Sequence, residues 1–324
     1  MNILLTGAGG GVGRMLRPMM IDTWGKLRLS DIADPGPLAD GEQFAPADLT
    51  DPAALDEAVA GIDGIVHLGG HSVEGSWDTI LQANIIGTYN LFEAARKAGV
   101  RRVVFASSNH AVGFHERSHT IDQNVPVRPD SRYGVSKVFG EGVAALYAHK
   151  HGIRSTSLRI GNVGLEPLDR RRLSIWIHPE DLMQLVRIGL EHPDVHCEVL
   201  YGASANQRTW WDRSRAHALG YRPTHKSEDF ADASPVTATK PPTRSPTATR
   251  ASTFCAAEYS PPELTDPDLR EKDMTDKAEL ARVADVISTS TSSACTKATA
   301  DRLHRRHSTR LPACSVTTRA ASPT

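Results

Sequence analysis

The chain has 324 residues, and 37 Lys and Arg against 38 Asp and Glu leave a formal net charge of -1. This length can bury a sizeable hydrophobic core in one or two domains. The charge balance gives no whole-chain reason to expect nucleic acid or an anionic membrane as a partner. No apolar run approaches the roughly 20 residues that cross a bilayer, and no basic segment precedes the first apolar run, as a signal peptide requires. We therefore expect a cytoplasmic protein.

The four cysteines are widely spaced, and they form no Cys-x-x-Cys or Cys/His ligand pattern. Zinc sites and disulfide frameworks depend on such spacings. The sequence therefore predicts neither a metal site nor a disulfide, and His149 and His151, near a predicted helix end, are expected to be surface residues.

The chain opens with a short apolar strand, a glycine-rich turn and the start of a helix, over residues 2–14. Gly7, Gly10 and Gly13 are three residues apart, and glycines let backbone N–H groups approach a pyrophosphate at the positive end of a helix. The alternative is a glycine loop without a ligand. A loop that follows the first strand and opens a helix is the context typical of a dinucleotide site, and we expect Gly11 and Val12 to belong to it.

A second strand, at 27–30, ends on Asp31, at about the distance from the glycine turn where an acidic residue binds the adenosine ribose. A carboxylate there repels a 2′-phosphate, so the sequence predicts NAD rather than NADP. The alternative is a strand-end aspartate that water satisfies. A third strand is predicted at 44–49, where Asp48 and Leu49 would meet the adenine.

Further apolar runs alternate with helical segments along the chain. Strands are predicted at 64–70, 103–106, 155–160 and 199–202, and helices at 52–60, 77–97, 133–151 and 180–186. Buried strands separated by helices indicate an α/β fold with a Rossmann-type, doubly wound parallel sheet, which binds ligands at the carboxyl ends of its strands. Leu68, Gly69 and Gly70 lie at one such end, and Asn84 lies in the first half of the helix at 77–97.

Tyr133 and Lys137 are four residues apart, a spacing that stacks two side chains on one helical face. A neighbouring cation favours phenolate, so Lys137 is expected to lower the pKa of Tyr133 towards that of a useful general base. The spacing also occurs by chance on solvated helices. Ser107 and Ser108, at the end of the fifth predicted strand, add hydroxyl groups, although they could also cap a turn.

Residues 1–232 are predicted to form the Rossmann domain, with a small substrate-binding part mainly at 161–230. From about Ala233 the composition changes to Thr, Ser, Ala, Pro and Arg with little apolar periodicity. Such a segment buries too little surface to offset its chain entropy. Residues 233–324 are therefore predicted to be a disordered, low-complexity tail, apart from a short helix at 276–287. A natural tail and a change of reading frame near 233 would look alike.

Taken in order, these motifs resemble the extended short-chain dehydrogenase/reductase family. The residues that carry the resemblance are Gly7, Gly10, Gly13, Asp31, Asp48, Asn84, Ser108, Tyr133 and Lys137. Within the family, residues 2–230 are most similar to the branch that oxidises hexuronic acids with NAD. The segments that carry this second similarity are 67–74, 84–87, 105–110, 159–161, 173–176, 201–206 and 210–212.

The resemblance implies a role for each motif. Tyr133 would be the general base, Lys137 would hold the nicotinamide ribose, Ser108 would be the hydroxyl partner, and Asn84 would support a water relay to the lysine. The residues that would contact the sugar acid are Ser72, Ser108, Asn109, His110, Asn162 and Arg171.

Arg171 would bind the carboxylate, because a guanidinium fork matches two oxygens. Its neighbours Arg170 and Arg172 are alternatives for that role. Asn162 departs from the family, which has a small hydroxyl residue at this position.

The resemblance implies oxidation of glucuronate or galacturonate at C1 to a lactone, by a homo-oligomer that uses NAD. One rival function is that of a nucleotide-sugar epimerase or dehydratase, but such enzymes need a larger C-terminal lobe than 161–230 provides. Another is a non-catalytic NAD-binding sensor or scaffold. The absence of Tyr133 or Lys137 would have favoured it, and both are present.

Overall fold

A computed structural model describes residues 1–231 of the chain. The predicted tail at 233–324, including its short helix at 276–287, lies outside the described residues. Within 1–231, every helix is too short or too polar to cross a membrane.

Seven parallel strands form the central sheet. The strands of the chain are β1 Ile3–Thr6, β2 Leu27–Ser30, β3 Glu42–Phe44, β4 Gly64–His67, β5 Arg102–Ser108, β6 Arg154–Ile160, β7 Asn162–Val163, β8 Trp176–Ile177 and β9 Cys197–Gly202. The sheet order is β3-β2-β1-β4-β5-β6-β9, and β7 and β8 form a separate short pair. The order reverses direction between β1 and β4, which is the switch point of a doubly wound sheet. The predicted fold class is confirmed.

Helices cover both faces of the sheet. They are α1 Gly11–Trp24, α2 Pro52–Ala58, α3 Trp77–Ile80, α4 Gly87–Lys97, α5 Arg132–His151, α6 Pro179–Glu191 and α7 Ser214–Ala218, with 3₁₀ turns at Asn109–Val112, Arg172–Ser174 and Ser227–Phe230. The hydroxyl of Ser131 caps α5 by accepting a hydrogen bond from the backbone N–H of Gly134. This cap sets the first turn of α5 directly before Tyr133.

Alternate residues of β1 enter two separate hydrophobic cores, as the two-residue period of a strand requires. Ile3 and Leu5 of β1 pack with Leu16 of α1 and Leu182 of α6. Leu4, between them, packs on the opposite face with residues of α2, α4 and α5. The two cores hold the carboxyl ends of the strands in a fixed row at one edge of the sheet.

The third strand is the element whose predicted position is wrong. It was expected at 44–49, but β3 spans Glu42–Phe44 and pairs with β2 from Leu27 to Leu29. Pro46 has no N–H to donate to a neighbouring strand, so the regular ladder ends before it.

The helix predicted at 77–97 contains a π-helical turn. Residues Leu81–Ile86 are π-helical and join α3 to α4, and Asn84 lies inside this turn. A π turn accommodates an extra residue and is frequent at functional sites. Residue composition carries no signal for it, because every residue in the segment is compatible with an ordinary helix.

Candidate active site

A cavity of about 720 Å³ opens at the carboxyl ends of β1, β4, β5 and β6. Small-molecule sites commonly measure about 300–1,000 Å³. Of the predicted site residues, the wall contains Gly7, Gly10, Gly11, Val12, Gly13, Leu68, Gly70, Ser72, Ser108, Asn109, His110, Tyr133, Lys137, Asn162 and Arg171. The sheet thus brings the glycine turn, the Tyr-Lys pair and the arginine together.

The glycine turn fits a dinucleotide. A Cβ atom on Gly7 would lie 2.8 Å from the backbone nitrogen of Gly69, and one on Gly13 would overlap the backbone of the turn. Gly11 has no atom within 4 Å of the position its Cβ would take, so the start of α1 is open. Backbone N–H groups at an open helix N-terminus favour a phosphate.

Asp31 lies beside the turn and is not part of the cavity wall. Its Oδ2 accepts a hydrogen bond of 2.9 Å from the backbone N–H of Gly9. Asp48 accepts one of 2.8 Å from Thr50 N–H. Leu49 lies close to Gly69 and Gly87, where it would contact any added Cβ atoms. The predicted contacts of these residues with adenosine stay predictions.

Tyr133 and Lys137 are both buried, with exposed fractions of 9% and 6%. Burial raises the pKa of Tyr133 to about 12, although a hydrogen bond with Ser108 lowers it. Burial also lowers the pKa of Lys137 to about 8. Desolvation of the phenol therefore outweighs the effects that lower this pKa, and the lowering expected from Lys137 stays a prediction.

The ammonium group of Lys137 contacts aromatic faces. Its Nζ lies 5.3 Å from the centre of the Tyr133 ring and 5.1 Å from that of Phe105. Both distances fall within the range of a cation–π interaction. These contacts orient the lysine beside the phenol on the cavity side of α5.

Asn84 is buried outside the cavity wall. Its Nδ2 donates hydrogen bonds of 3.0 Å to the carbonyl of His71 and to the hydroxyl of Ser136, and its Oδ1 accepts one of 2.7 Å from His71 N–H. Both amide hydrogens are therefore used to tie the loop after β4 to α5, next to Lys137. A water relay, as predicted for Asn84, would have to use the remaining lone pair of Oδ1.

Three consecutive arginines differ in their surroundings. Arg170 is exposed, and Arg172 donates to Asp169 over 2.7 Å. Burial, followed by the charge of Arg117, lowers the pKa of Arg171 to about 10. Arg171 is therefore the one whose charge is most strongly desolvated, which favours it as the partner of an anion.

Asn162 lines the same end of the cavity. Its Oδ1 is buried and accepts no hydrogen bond from any described residue. A buried acceptor of this kind is costly unless a ligand or water donates to it.

Sequence reasoning missed several residues around the cavity. Glu74 accepts a hydrogen bond of 2.9 Å from Tyr133 N–H, and Asp130 accepts one of 2.8 Å from the ring of His110. The guanidinium of Arg117 lies 5.3 Å from the centre of the Trp210 ring. Arg117 and Asp130 belong to the irregular loop after β5, where no periodicity gives a signal. Glu74 lies in a segment used for the resemblance, but nothing there indicated its partner.

The described residues contain one group with metal-ligating atoms, although no metal site was predicted. Ligand atoms of His178, Glu180 and His225 all lie within 4.8 Å of one another. The two imidazole rings stack face to face, with centres 3.6 Å apart and planes 17° apart. Lone pairs of stacked rings lie in nearly parallel planes and do not converge on one ion, so this geometry gives no support to a metal centre.

The profile of the NAD dependent epimerase/dehydratase family matches residues 3–178, which include the glycine turn and the Tyr-Lys pair. The chain belongs to this family. Members use NAD, and the glycine turn at the start of α1 fits that cofactor. A uronate dehydrogenase from Pseudomonas syringae pv. tomato is 46% identical over 244 residues, 74% of this chain and 89% of that protein.

Solved structures give the same relationship. A glucuronic acid dehydrogenase from Chromohalobacter salexigens has a TM-score of 0.75 at 44% identity, covering 79% of this chain and 96% of that one. A mutant uronate dehydrogenase from Agrobacterium tumefaciens, complexed with NAD, has a TM-score of 0.73 at 41% identity, covering 79% and 97%. The similarity therefore extends well beyond the segment that defines the family.

Proposed function

We propose that the chain is an NAD-dependent dehydrogenase that oxidises hexuronic acids, such as galacturonate and glucuronate, at C1 to the lactone. The observation that carries the proposal is that a partly buried arginine, Arg171, shares one cavity with the Tyr133–Lys137 pair and the open glycine turn. Such a cavity offers places for a carboxylate, a sugar hydroxyl and a dinucleotide. The relatives named uronate dehydrogenase, which match most of the chain, support the same activity.

NAD⁺ supplies the hydride acceptor, and the residues of the chain bind the sugar and move its proton. Tyr133 takes the proton of the anomeric hydroxyl, and Ser108, which hydrogen-bonds the phenol, holds that hydroxyl in line. Lys137 holds the nicotinamide ribose and, as a cation, favours the phenolate when it forms. Asn84 supports the lysine from the neighbouring π turn.

The remaining cavity residues orient the ring of the sugar. Ser72, Asn109 and His110 contact its hydroxyl groups, and the buried Oδ1 of Asn162 accepts from one of them. Arg171 binds the carboxylate, because its desolvated guanidinium gains most from an anionic partner. Positioning of this kind supplies a large part of the rate of such a reaction.

The proposal is tested by adding galacturonate or glucuronate and NAD⁺ to the purified chain and following the absorbance of NADH. Turnover is expected with at least one of the two acids, and much less with galactose and glucose, which lack the carboxylate. Absence of turnover with both acids would overturn the substrate assignment. Binding of NAD without turnover of any sugar acid would instead favour the non-catalytic sensor, and turnover of a nucleotide sugar would favour the epimerase or dehydratase.

Asp31 is proposed to select NAD over NADP. The change Asp31→Asn keeps an oxygen that can accept from Gly9 N–H but removes the charge that repels a 2′-phosphate. The ratio of kcat/KM for NAD⁺ to that for NADP⁺ is expected to fall about tenfold, equivalent to ~1.4 kcal/mol. Asp34→Asn, an exposed aspartate of the same loop, is the matched control and should leave the ratio unchanged. An unchanged ratio in Asp31→Asn would remove this role.

The chain is further proposed to work as a homo-oligomer in the cytoplasm. Val135, Phe139 and Leu146 of α5 share one helical face, and all three are exposed, as is Tyr89 of α4. Adjacent apolar side chains on neighbouring helices are typical of a subunit interface.

Phe139→Glu places a charge in this apolar face and is expected to reduce the sedimentation coefficient to that of a monomer. The control is Leu38→Glu, which changes an exposed leucine in the loop between β2 and β3. This change should leave the sedimentation coefficient unaltered. Identical sedimentation of Phe139→Glu and the unmodified chain would exclude this face as the interface.

A further inference from the structure

We propose that Asp130 is a positioning residue, which fixes the tautomer and ring orientation of His110 so that the histidine accepts a hydrogen bond from a hydroxyl of the sugar. The inference rests on the proposed function for the identity of the ligand. Its structural part, the tautomer of His110, does not depend on it.

The contact between the two side chains is short and buried. Asp130 Oδ1 lies 2.8 Å from His110 Nδ1, and the side-chain exposures are 0% for the aspartate and 11% for the histidine. An ionised carboxylate can only accept hydrogen bonds, so Nδ1 must carry the proton. In the neutral ring the lone pair then lies on Nε2.

His110 faces the reaction site. It lines the cavity, and its ring meets that of Tyr133 edge to face, with centres 5.6 Å apart and planes at 74°. Its backbone N–H donates to Ser108 Oγ over 3.2 Å. A lone pair on Nε2 therefore makes this cavity residue a hydrogen-bond acceptor close to the general base.

The backbone holds the pair in register. Asp130 N–H donates to the carbonyl of His110 over 3.2 Å, and Arg128 N–H donates to that of Ala111 over 3.0 Å. Ser131 Oγ donates to Asp130 Oδ1 over 3.0 Å. The carboxylate is thus fixed before any ligand arrives, as preorganised sites require.

An independent observation comes from Gly113. A Cβ atom at this position would overlap the carboxylate of Asp130. The glycine does not have a positive φ, so its conformation does not require it. Space for the carboxylate is the physical reason for a glycine here, which indicates that the loop is built around a buried charge.

Asp130 also acts on Arg171. Burial lowers the pKa of Arg171, and the negative charge of Asp130 is among the interactions that oppose this shift. One carboxylate therefore supports both the residue proposed to read a sugar hydroxyl and the residue proposed to bind the sugar acid.

The first experiment is ¹⁵N NMR of the histidine side chains in the unmodified chain, with His110 assigned by the variant His110→Gln. His110 is expected as the Nδ1-protonated tautomer. In Asp130→Asn, the amide can donate to Nδ1 instead, and the signal should move towards the Nε2-protonated form. An Nε2-protonated His110 in the unmodified chain would overturn the proposal, whether or not the variant folds and whether or not uronates are substrates.

The second experiment is kinetic. Asp130→Asn is expected to lower kcat/KM for the uronate about 10²-fold, with a raised KM for the sugar and an unchanged KM for NAD⁺, because a wrong tautomer costs up to about 10⁴-fold where the histidine itself is the base. The control is Asp122→Asn. Asp122 lies in the same loop and accepts a hydrogen bond from Asn124 N–H, so its replacement should leave kcat/KM and both KM values unchanged.

A double-mutant cycle separates the proposed role from a general loss of structure. If Asp130 acts through His110, adding Asp130→Asn to His110→Gln should lower kcat/KM by much less than it does in the unmodified chain. Full additivity of the two changes would overturn the positioning role. Failure of the unmodified chain to oxidise uronates would refute the proposed function alone, since the tautomer experiment would still stand.

Discussion

Replacing Tyr133 by Phe is expected to reduce kcat for uronate oxidation by about 10³-fold, within the range of about 10²–10⁴ that a general base contributes. The change removes only the phenolic oxygen. The aromatic ring remains available to the edge of His110 and to the ammonium of Lys137. Binding of NAD, followed by quenching of tryptophan fluorescence or by calorimetry, is therefore expected to stay within about twofold, a difference well under the ~1.4 kcal/mol of a tenfold change.

Tyr147→Phe is the matched control for this experiment. Tyr147 lies on the same helix, but its hydroxyl donates to Glu93 over 2.9 Å, and its ring packs in the core between α4 and α5. Its replacement should leave kcat unchanged. Activity of Tyr133→Phe near that of the unmodified chain would refute the role of the phenol.

The pH dependence gives a second readout of the same residue. Burial raises the pKa of Tyr133 to about 12, so the phenol is protonated at neutral pH and the fraction of phenolate grows with pH. The value of kcat/KM is therefore expected to rise from pH 6 to pH 8, roughly in proportion to that fraction. Above the pKa of Lys137, about 8, the lysine loses the charge that favours phenolate, and the rise should flatten. The residual rate of Tyr133→Phe should lack this slope.

The fold was predictable because its signals are local. A doubly wound sheet is predicted by three local signals: glycines after β1, apolar runs of a strand's length, and helices between those runs. The sheet then places Ser108 of β5 and Lys137 of α5 at the same edge. The position of β3 was not predictable from apolar content, because apolar residues continue beyond Phe44 and suggest a longer strand. Pro46 cannot continue the ladder.

The supporting residues of the cavity were not predictable in the same way. Asp130, Glu74 and Arg117 act on partners that they meet only when irregular loops adopt one conformation. The effect of burial on Tyr133 was missed for a related reason. A sequence gives the charge of a neighbour such as Lys137 directly, but desolvation depends on how every surrounding element packs.

The change Glu141→Ala is expected to destabilise the domain by about 3–5 kcal/mol, because it leaves a buried guanidinium without its carboxylate. Arg159 donates to Glu141 through Nε and Nη2, over 2.9 and 2.8 Å. The exposed fractions of the two side chains are only 3% and 10%. Ser107 also donates to Glu141 over 2.6 Å, so the pair holds the end of β5 next to Ser108.

Thermal unfolding measures the effect, with an expected decrease in Tm of about 10 °C for a domain of this size. Asp56→Ala is the control, because its ion pair with Lys97 is about half exposed on both sides, at 48% and 49%. Exposed pairs contribute less than about 1 kcal/mol. A Tm for Glu141→Ala equal to that of the control would mean that Arg159 reaches water when its partner is removed.

The double change Arg159→Met with Glu141→Met separates the cost of an unpaired charge from the loss of packing. Both charges are then absent, and well-packed apolar replacements of a buried pair are often neutral or stabilising. The double variant should therefore recover most of the Tm that Glu141→Ala loses. Its activity should recover less, because Ser107 loses its acceptor and the end of β5 that carries Ser108 is no longer anchored to α5. Recovery of stability without activity would show that the ion pair positions the active site rather than stabilising the fold.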